Sequence, residues 1–372
     1  MIRRLIPKSV EELAEWYMRY ISPLSLIAGF IADNLILLRR VDVWTSNALL
    51  FFYLTVAAIC IVLLNLIESG RLRHPLFLKI LPLIPVVAQF AFGGLFSGYL
   101  SLYSRSAAYA FSWIFVVLLA GLLIGNERFV RFYRNFSFQM SVYFGALFSF
   151  YIFFLPVVFH QIGPWMFAVS GAASLTAIAL FILILSKLVP DVVRRERTKT
   201  SRAIAVIFVV FNILYFTNVI PPLPLALKDA GVYHSVKRTG DTYVLQSEPV
   251  PWYQSYLRYS MVYHRLAAQA GAPGEPVYVW SAVFAPSGLS TTVFHQWQKY
   301  DDITKKWQTK STFSFPIQGG RDGGYRGYSV KQDASRGDWR VNVITQYGQI
   351  IGQISFRIED VPTPINLIET QQ

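Results

Sequence analysis

Apolar residues crowd the first part of the chain in seven long runs, and short alternating runs follow them. A helix needs about 20 mainly apolar residues to cross the hydrocarbon core of a bilayer. The runs that meet this length are Tyr20 to Leu38, Ala48 to Ile67, Leu76 to Leu100, Ala107 to Ile124, Phe138 to Phe159, Trp165 to Leu185 and Ala203 to Ile220. None shows the two-residue alternation of a closed barrel, so helices are the way to satisfy their backbone in lipid. Pro82 and Pro85 are expected to kink the third run, and Gly94 and Gly98, four apart, permit close helix packing.

After Ile220 the pattern changes. Pro221-Pro222-Leu223-Pro224 ends the seventh helix, because proline cannot continue one. Trp252 to Ala270 has helical spacing, with Tyr256, Tyr259, Tyr263 and Leu266 on one face. Six short runs rich in β-branched and aromatic residues come next: Pro276 to Phe284, Ser290 to Tyr300, Lys306 to Phe315, Tyr325 to Lys331, Asp338 to Gln346 and Ile350 to Ile358. Tyr347-Gly348 reads as a hairpin turn between the last two. The organisation expected is a cytoplasmic amphipathic segment at 1–19, where Ser9 and Glu12 form a capping box, then a seven-helix transmembrane domain at 20–220. A linker and helix at 221–275, a periplasmic β-sandwich at 276–360 and a tail at 361–372 complete it. The expected fold class is therefore membrane α-helical, with about seven transmembrane helices, plus a C-terminal all-β, immunoglobulin-like antiparallel sandwich. The immunoglobulin likeness is architectural, since the cysteine pair of antibody domains is missing.

Composition agrees. Hydrophobic residues make up 54% and charged residues 15%, whereas soluble domains average about 25% charged. Aromatic residues at 16% exclude disorder, and a single cysteine excludes a disulfide scaffold. The net charge of +13 would suggest nucleic acid on a soluble protein, but its placement says otherwise. Of 19 Lys and Arg before Leu227, 16 fall in the N-terminal segment or in the loops after the second, fourth and sixth runs. Arg39, Arg40 and Arg105 are the three on the other side, the first two placed to snorkel. Positive residues stay cytoplasmic, so the N-terminus is expected inside and, after seven crossings, the C-terminal domain outside. That domain holds 15 basic and 12 acidic residues and is nearly neutral. It has no cysteine and no Asn-x-Ser/Thr sequon, which suits a bacterial inner-membrane protein facing the periplasm.

The segment from Pro221 to Ile358 resembles the bacterial family called domain of unknown function 2914. The residues that carry this are Pro221-Pro222-Leu223-Pro224-Leu225, Lys228-Asp229, Gly231-Val232-Tyr233-His234-Ser235, Phe284-Ala285-Pro286-Ser287-Gly288-Leu289 and His295-Gln296-Trp297. Gly319-Gly320-Arg321-Asp322-Gly323-Gly324-Tyr325-Arg326-Gly327-Tyr328 and Gly337-Asp338-Trp339-Arg340-Val341 add to it. The resemblance implies a periplasmic β-domain on a membrane anchor. It implies no reaction, so no catalytic residue is carried over.

The loop from Gly319 to Tyr328 is the strongest local signal, with five glycines beside Arg321, Asp322, Tyr325, Arg326 and Tyr328. Glycines allow close approach of a ligand or another backbone, and paired arginines can grip carboxylate or phosphate groups. The alternative is a hairpin held by an internal Arg321–Asp322 network. His295 and Trp297, two apart in one strand, share a face that Trp307 could join. That face either binds a glycan or peptide or is a core tryptophan with a hydrogen-bonded histidine. Within the apolar runs, Asp33 and Asn34 stand out, with Arg39, Arg40 or Arg105 as partners near the outer surface. Gln89, Gln139, Asn65 and Asn212 can glue helices together, or Asp33, Gln89 and Asn212 can line a cavity. The basic run from Arg194 to Arg202 is a topology signal or a site for anionic lipid, and Cys60 is a small apolar residue. His234, His264 and His295 lack ligand spacing, so no metal and no cofactor are expected. The reading that results is a non-enzymatic envelope protein whose outer domain binds a protein or cell-wall glycan. The alternative is a transporter or lipid-processing enzyme with a cavity among the helices.

Overall fold

The computed structural model describes residues 42–107, 112–126, 132, 134–240, 242–249, 263–269, 275–361 and 365–372, together with Glu12, Trp16, Phe30 and Ile31. The expected first span, with Asp33, Asn34, Arg39 and Arg40, lies outside the described residues except for Phe30 and Ile31. The chain divides into a helical unit and a sheet-rich unit.

The helices of the first unit follow the apolar runs. They are α1 (Trp44–Glu68), α2 (Pro75–Ile80), α3 (Ile84–Ser106), α4 (Ser112–Asn126), α5 (Phe136–Phe159), α6 (Pro164–Leu188) and α7 (Pro190–Phe216). A 3₁₀ turn at Leu81–Leu83 joins α2 to α3. Pro82 sits in that turn and Pro85 follows in the first turn of α3, so the interruption falls where proline removes the ladder donor. Among the described residues, five helical runs, α1, α2 with α3, α5, α6 and α7, are long and apolar enough to cross a membrane; α4 is shorter. The expected seventh run begins only at Ala203, yet α7 starts at Pro190. Its charged first half is helical because Val193, Thr200 and Ile204 bury one side of it.

Close packing and hydrogen bonds tie these helices. Gly94 of α3 lies under the ring of Tyr53 in α1, where a Cβ would come to 2.6 Å of the ring. Phe148 of α5 stacks on Phe208 and Phe211 of α7. The Tyr99 hydroxyl donates to the Ala146 carbonyl at 2.8 Å, and Tyr103 to Ser149 at 3.2 Å, joining α3 to α5. Buried Asn65 of α1 donates to Gln139 Oε1 of α5 at 2.6 Å. Asn65→Leu removes that bond and is expected to destabilise the helical unit by about 1 kcal/mol, the scale of such bonds between membrane helices. Unfolding of the purified protein by detergent titration measures this; a midpoint equal to that of the wild type would refute it.

The second unit has eleven strands among the described residues. They are β1 (Ala226–Tyr233), β2 (Ser235–Thr239), β3 (Thr242–Ser247), β4 (Tyr263–Gln269), β5 (Val277–Phe284), β6 (Ser290–Asp301), β7 (Lys306–Gln318), β8 (Tyr325–Lys331), β9 (Gly337–Thr345), β10 (Ile350–Val361) and β11 (Ile368–Gln371). They form three sheets, ordered β4-β10-β9-β6-β7, β1-β5-β8 and β11-β3-β2. Pairing is antiparallel throughout except between β4 and β10. The six expected strands are β5 to β10, and β9 and β10 are joined by the expected turn, with Gly348 at φ 79°.

Three expectations are corrected. The described residues of 221–275 form β1 to β4 where a linker and helix are expected, and positions 252–262 of that expected helix lie outside the described residues. Tyr263–Gln269 has helical spacing and good helix formers, but it pairs in parallel with β10, placing Leu266 beside Ile358 in the interior. Tertiary pairing outweighs local propensity here. The tail at 361–372 contributes β11, which pairs with β3.

The sheet β1-β5-β8 is covered on both sides. Ser281 of β5 reaches His295 of β6 in the five-stranded sheet, whereas Trp280 packs with Tyr243 and Leu245 of β3. Burial on both faces explains why β5 reads as a nearly continuous apolar run instead of an alternation.

Candidate functional site

The loop from Gly319 is not a hairpin. It carries the chain from β7 in one sheet to β8 in another, and residues 285–289 make the reverse crossing from β5 to β6. The two crossovers pack on each other. Gly319 N–H donates to the Leu289 carbonyl at 2.8 Å and Gly320 N–H to the Ala285 carbonyl at 3.1 Å. A Cβ on Gly319 would overlap the Pro286 carbonyl oxygen. Gly324 has φ 83° and its missing Cβ would lie 2.9 Å from the Val283 backbone; that of Gly327 would lie 2.7 Å from the Phe315 ring. Four of the five glycines are thus accounted for by backbone geometry and sheet packing.

What the loop presents is Arg321 and Asp322, both exposed. The Arg321 guanidinium lies 5.9 Å from the centre of the Tyr325 ring, within cation–π range. Strand alternation then separates the remaining residues. Tyr325, Gly327 and Ser329 of β8 point toward the five-stranded sheet. Arg326 and Tyr328 point the other way, and Tyr328, 41% exposed, meets the rings of Tyr278 and Tyr243. Four of the five residues singled out in the sequence therefore form two groups, Arg321 with Tyr325 and Arg326 with Tyr328, while Asp322 stands exposed next to Arg321.

Residues 290–358 match the family model described as a protein of unknown function, DUF2914. The matched segment runs from β6 into β10 and holds the Gly319 loop. None of the curated proteins matches the chain. One solved structure with a detectable likeness is Pseudomonas fluorescens alkylpurine DNA glycosylase AlkC bound to DNA containing an abasic site analog. It is 12% identical over 77% of this chain and 83% of that chain, with a TM-score of 0.20. At that score the likeness carries no argument.

His295 and Trp297 of the matched segment are interior, which agrees with a core tryptophan beside a hydrogen-bonded histidine and not with an aromatic binding face. Both are 0% exposed. His295 Nε2 lies 2.8 Å from Ser281 Oγ and Nδ1 2.8 Å from Ser329 Oγ, and Trp297 Nε1 donates to the same Ser329 Oγ at 2.9 Å. Burial lowers the His295 pKa to about 3, so the ring is neutral. Trp307 does not join them; it lies on the opposite face of the sheet, beneath the Arg340 guanidinium at 4.4 Å and edge-on to Tyr300.

In the helical unit, Gln89 of α3 is buried and its backbone carbonyl accepts from Asn126 Nδ2 at 2.8 Å. Asn212 of α7 is half-buried and donates to the Phe208 carbonyl of its own helix at 2.8 Å. Neither lines the groove between α1 and the α2–α3 run. That groove, of about 360 Å³, is apolar, with Ile59, Cys60, Leu63, Ile84 and Val87 among its walls. Cys60 packs there as a small apolar side chain.

Proposed function

We propose that this is an integral protein of a bacterial inner membrane with seven crossings and a cytoplasmic N-terminus. Its sheet-rich domain, an immunoglobulin-like sandwich, stands in the periplasm. There it binds a protein or cell-wall glycan partner and performs no chemistry on it. The apolar helices support the membrane part. Orientation is supported by contacts at one end of the helical unit. Glu68 at the end of α1 meets Arg134, just before α5, at 3.9 Å, and Ser137 of α5 bonds Glu196 and Thr200 of α7 at 3.1 and 3.0 Å. The basic loop after α1, the approach to α5 and the charged half of α7 therefore share one end, as the positive-inside rule requires.

The observation that carries the binding reading is the pair of interlocked crossovers. A loop braced by backbone hydrogen bonds holds Arg321 and Asp322 out into solvent, and rigidly held loops are where proteins place recognition groups. Arg321→Ala combined with Arg326→Ala is expected to abolish partner cross-linking in intact cells. The melting temperature should stay within about 3 °C of the wild type, since Arg321 is exposed and Arg326 half-buried. Undiminished cross-linking by the double variant would sink this reading.

A further inference from the structure

We infer that the outer face of the sheet β4-β10-β9-β6-β7 is a binding site for a neutral glycan chain. Four strands there contribute a hydrogen-bonded row that no local motif reveals. Gln298 Nε2 donates to Thr309 Oγ1 at 3.0 Å, and Gln298 Oε1 accepts from Arg340 Nε at 2.7 Å and Asn342 Nδ2 at 3.3 Å. Asn342 Nδ2 also donates to Gln296 Oε1 at 3.2 Å, and its Oδ1 accepts from Gln353 Nε2 at 2.6 Å. The row runs across β7, β6, β9 and β10, and at the β7 end Trp307 lies under Arg340.

What the row leaves unused decides the ligand class. A carboxamide has two N–H donors and an oxygen with two lone pairs. Gln296 keeps both donors, Gln298 keeps one, and Gln353 keeps one donor and its oxygen. Asn342, 4% exposed, is the buried hub that the glutamines close over. Donors and acceptors are thus offered side by side by the uncharged carboxamides, beside the guanidinium of Arg340. An anionic ligand would use only the donors, and a cation only the acceptors. A sugar hydroxyl is donor and acceptor at once and matches the alternation. Charges of both signs border the row: Arg357 lies between Asp338 at 3.5 Å and Glu359 at 3.6 Å, and Arg340 is held by Gln298 and the Trp307 ring. The amides are already fixed by one another, so binding sacrifices little side-chain entropy. The inference rests on the reading that the domain meets an envelope glycan, and it is independent of the crossover loop.

The test uses the full chain in detergent, titrated calorimetrically with an N-acetylglucosamine tetramer, a glucose hexamer and a galacturonate oligomer. The wild type is expected to bind at least one neutral oligosaccharide and to prefer it to the galacturonate. Gln296→Leu with Gln353→Leu, and separately Trp307→Ala, should weaken that binding at least about tenfold, as loss of central contacts does. Arg321→Ala with Arg326→Ala should bind the sugar like the wild type, which separates this site from the loop. If the amide double variant melts early, the two single variants replace it. Binding of none of the neutral probes, preference for the galacturonate, or undiminished binding by well-folded amide variants would each overturn the inference.

Discussion

Gly319→Ala is expected to destabilise the sheet-rich unit by about 3 kcal/mol, the upper range for forcing a group into packed surroundings. For a unit of this size that lowers the melting temperature by roughly 10 °C. The cause is local. The new methyl group would coincide with the Pro286 carbonyl oxygen, which itself accepts from Leu289 N–H at 3.1 Å and cannot turn away. Neighbouring glycines supply the controls. Gly323 has open space, its nearest neighbour being the Arg326 side chain at 4.0 Å, so Gly323→Ala should shift stability by less than about 0.5 kcal/mol. Gly348 has open space but φ 79°, so Gly348→Ala should cost about 1 kcal/mol from backbone strain alone. Thermal unfolding followed by tryptophan fluorescence ranks the three. A Gly319→Ala protein as stable as the Gly323→Ala protein would show that the crossovers are not interlocked as described.

This ranking marks how far the sequence could be read. The glycine cluster was visible, but the reason for it was not, because Ala285 and Pro286 lie in a separate loop of the chain. A run of glycines says that something approaches closely and does not say whether it is a ligand or a neighbouring turn. The long apolar helices and the strands β5 to β10 were legible, since their periodicity is set by burial, and Tyr325–Lys331 was placed at its observed bounds. Strands β1 to β4 and β11 were missed, β1 and β4 for a different reason. Lys228, Asp229 and Gly231 interrupt β1, and Leu-Ala-Ala in β4 favours helix, so their extended form comes from the partners β5 and β10. The amide row was equally hidden, being assembled from residues on four strands. A faint signal existed in the outward parity of Gln296, Gln298, Arg340, Asn342 and Gln353, once β6, β9 and β10 had been placed next to one another.

The second large effect expected is a loss of stability in mild acid that traces to His295. Its ring nitrogens meet the hydroxyl groups of Ser281 and Ser329, and the ring packs edge-to-face with Phe315. Both serines could accept from an imidazolium, so hydrogen bonding does not forbid protonation; burial without a compensating charge does. The folded pKa is about 3 against an ordinary 6.5. Between those values the unfolded chain carries one more proton than the folded one. Stability from this residue is complete above pH 6.5 and is lost as the pH falls toward 3, at a slope approaching about 1.4 kcal/mol per pH unit. By pH 5 the loss is roughly 2 kcal/mol, or a melting temperature lower by about 6 °C. Asp301 acts elsewhere on the scale. The Thr304 hydroxyl and then the Ile303 N–H hold its carboxyl below the usual value of 3.8, so its contribution is lost only in stronger acid. His295→Gln keeps a donor and an acceptor in the pocket but cannot take up charge. It should be less stable than the wild type at pH 7.5, and its melting temperature should fall distinctly less between pH 7.5 and 5. Parallel pH profiles for the two proteins would mean that His295 is not the buried neutral group responsible.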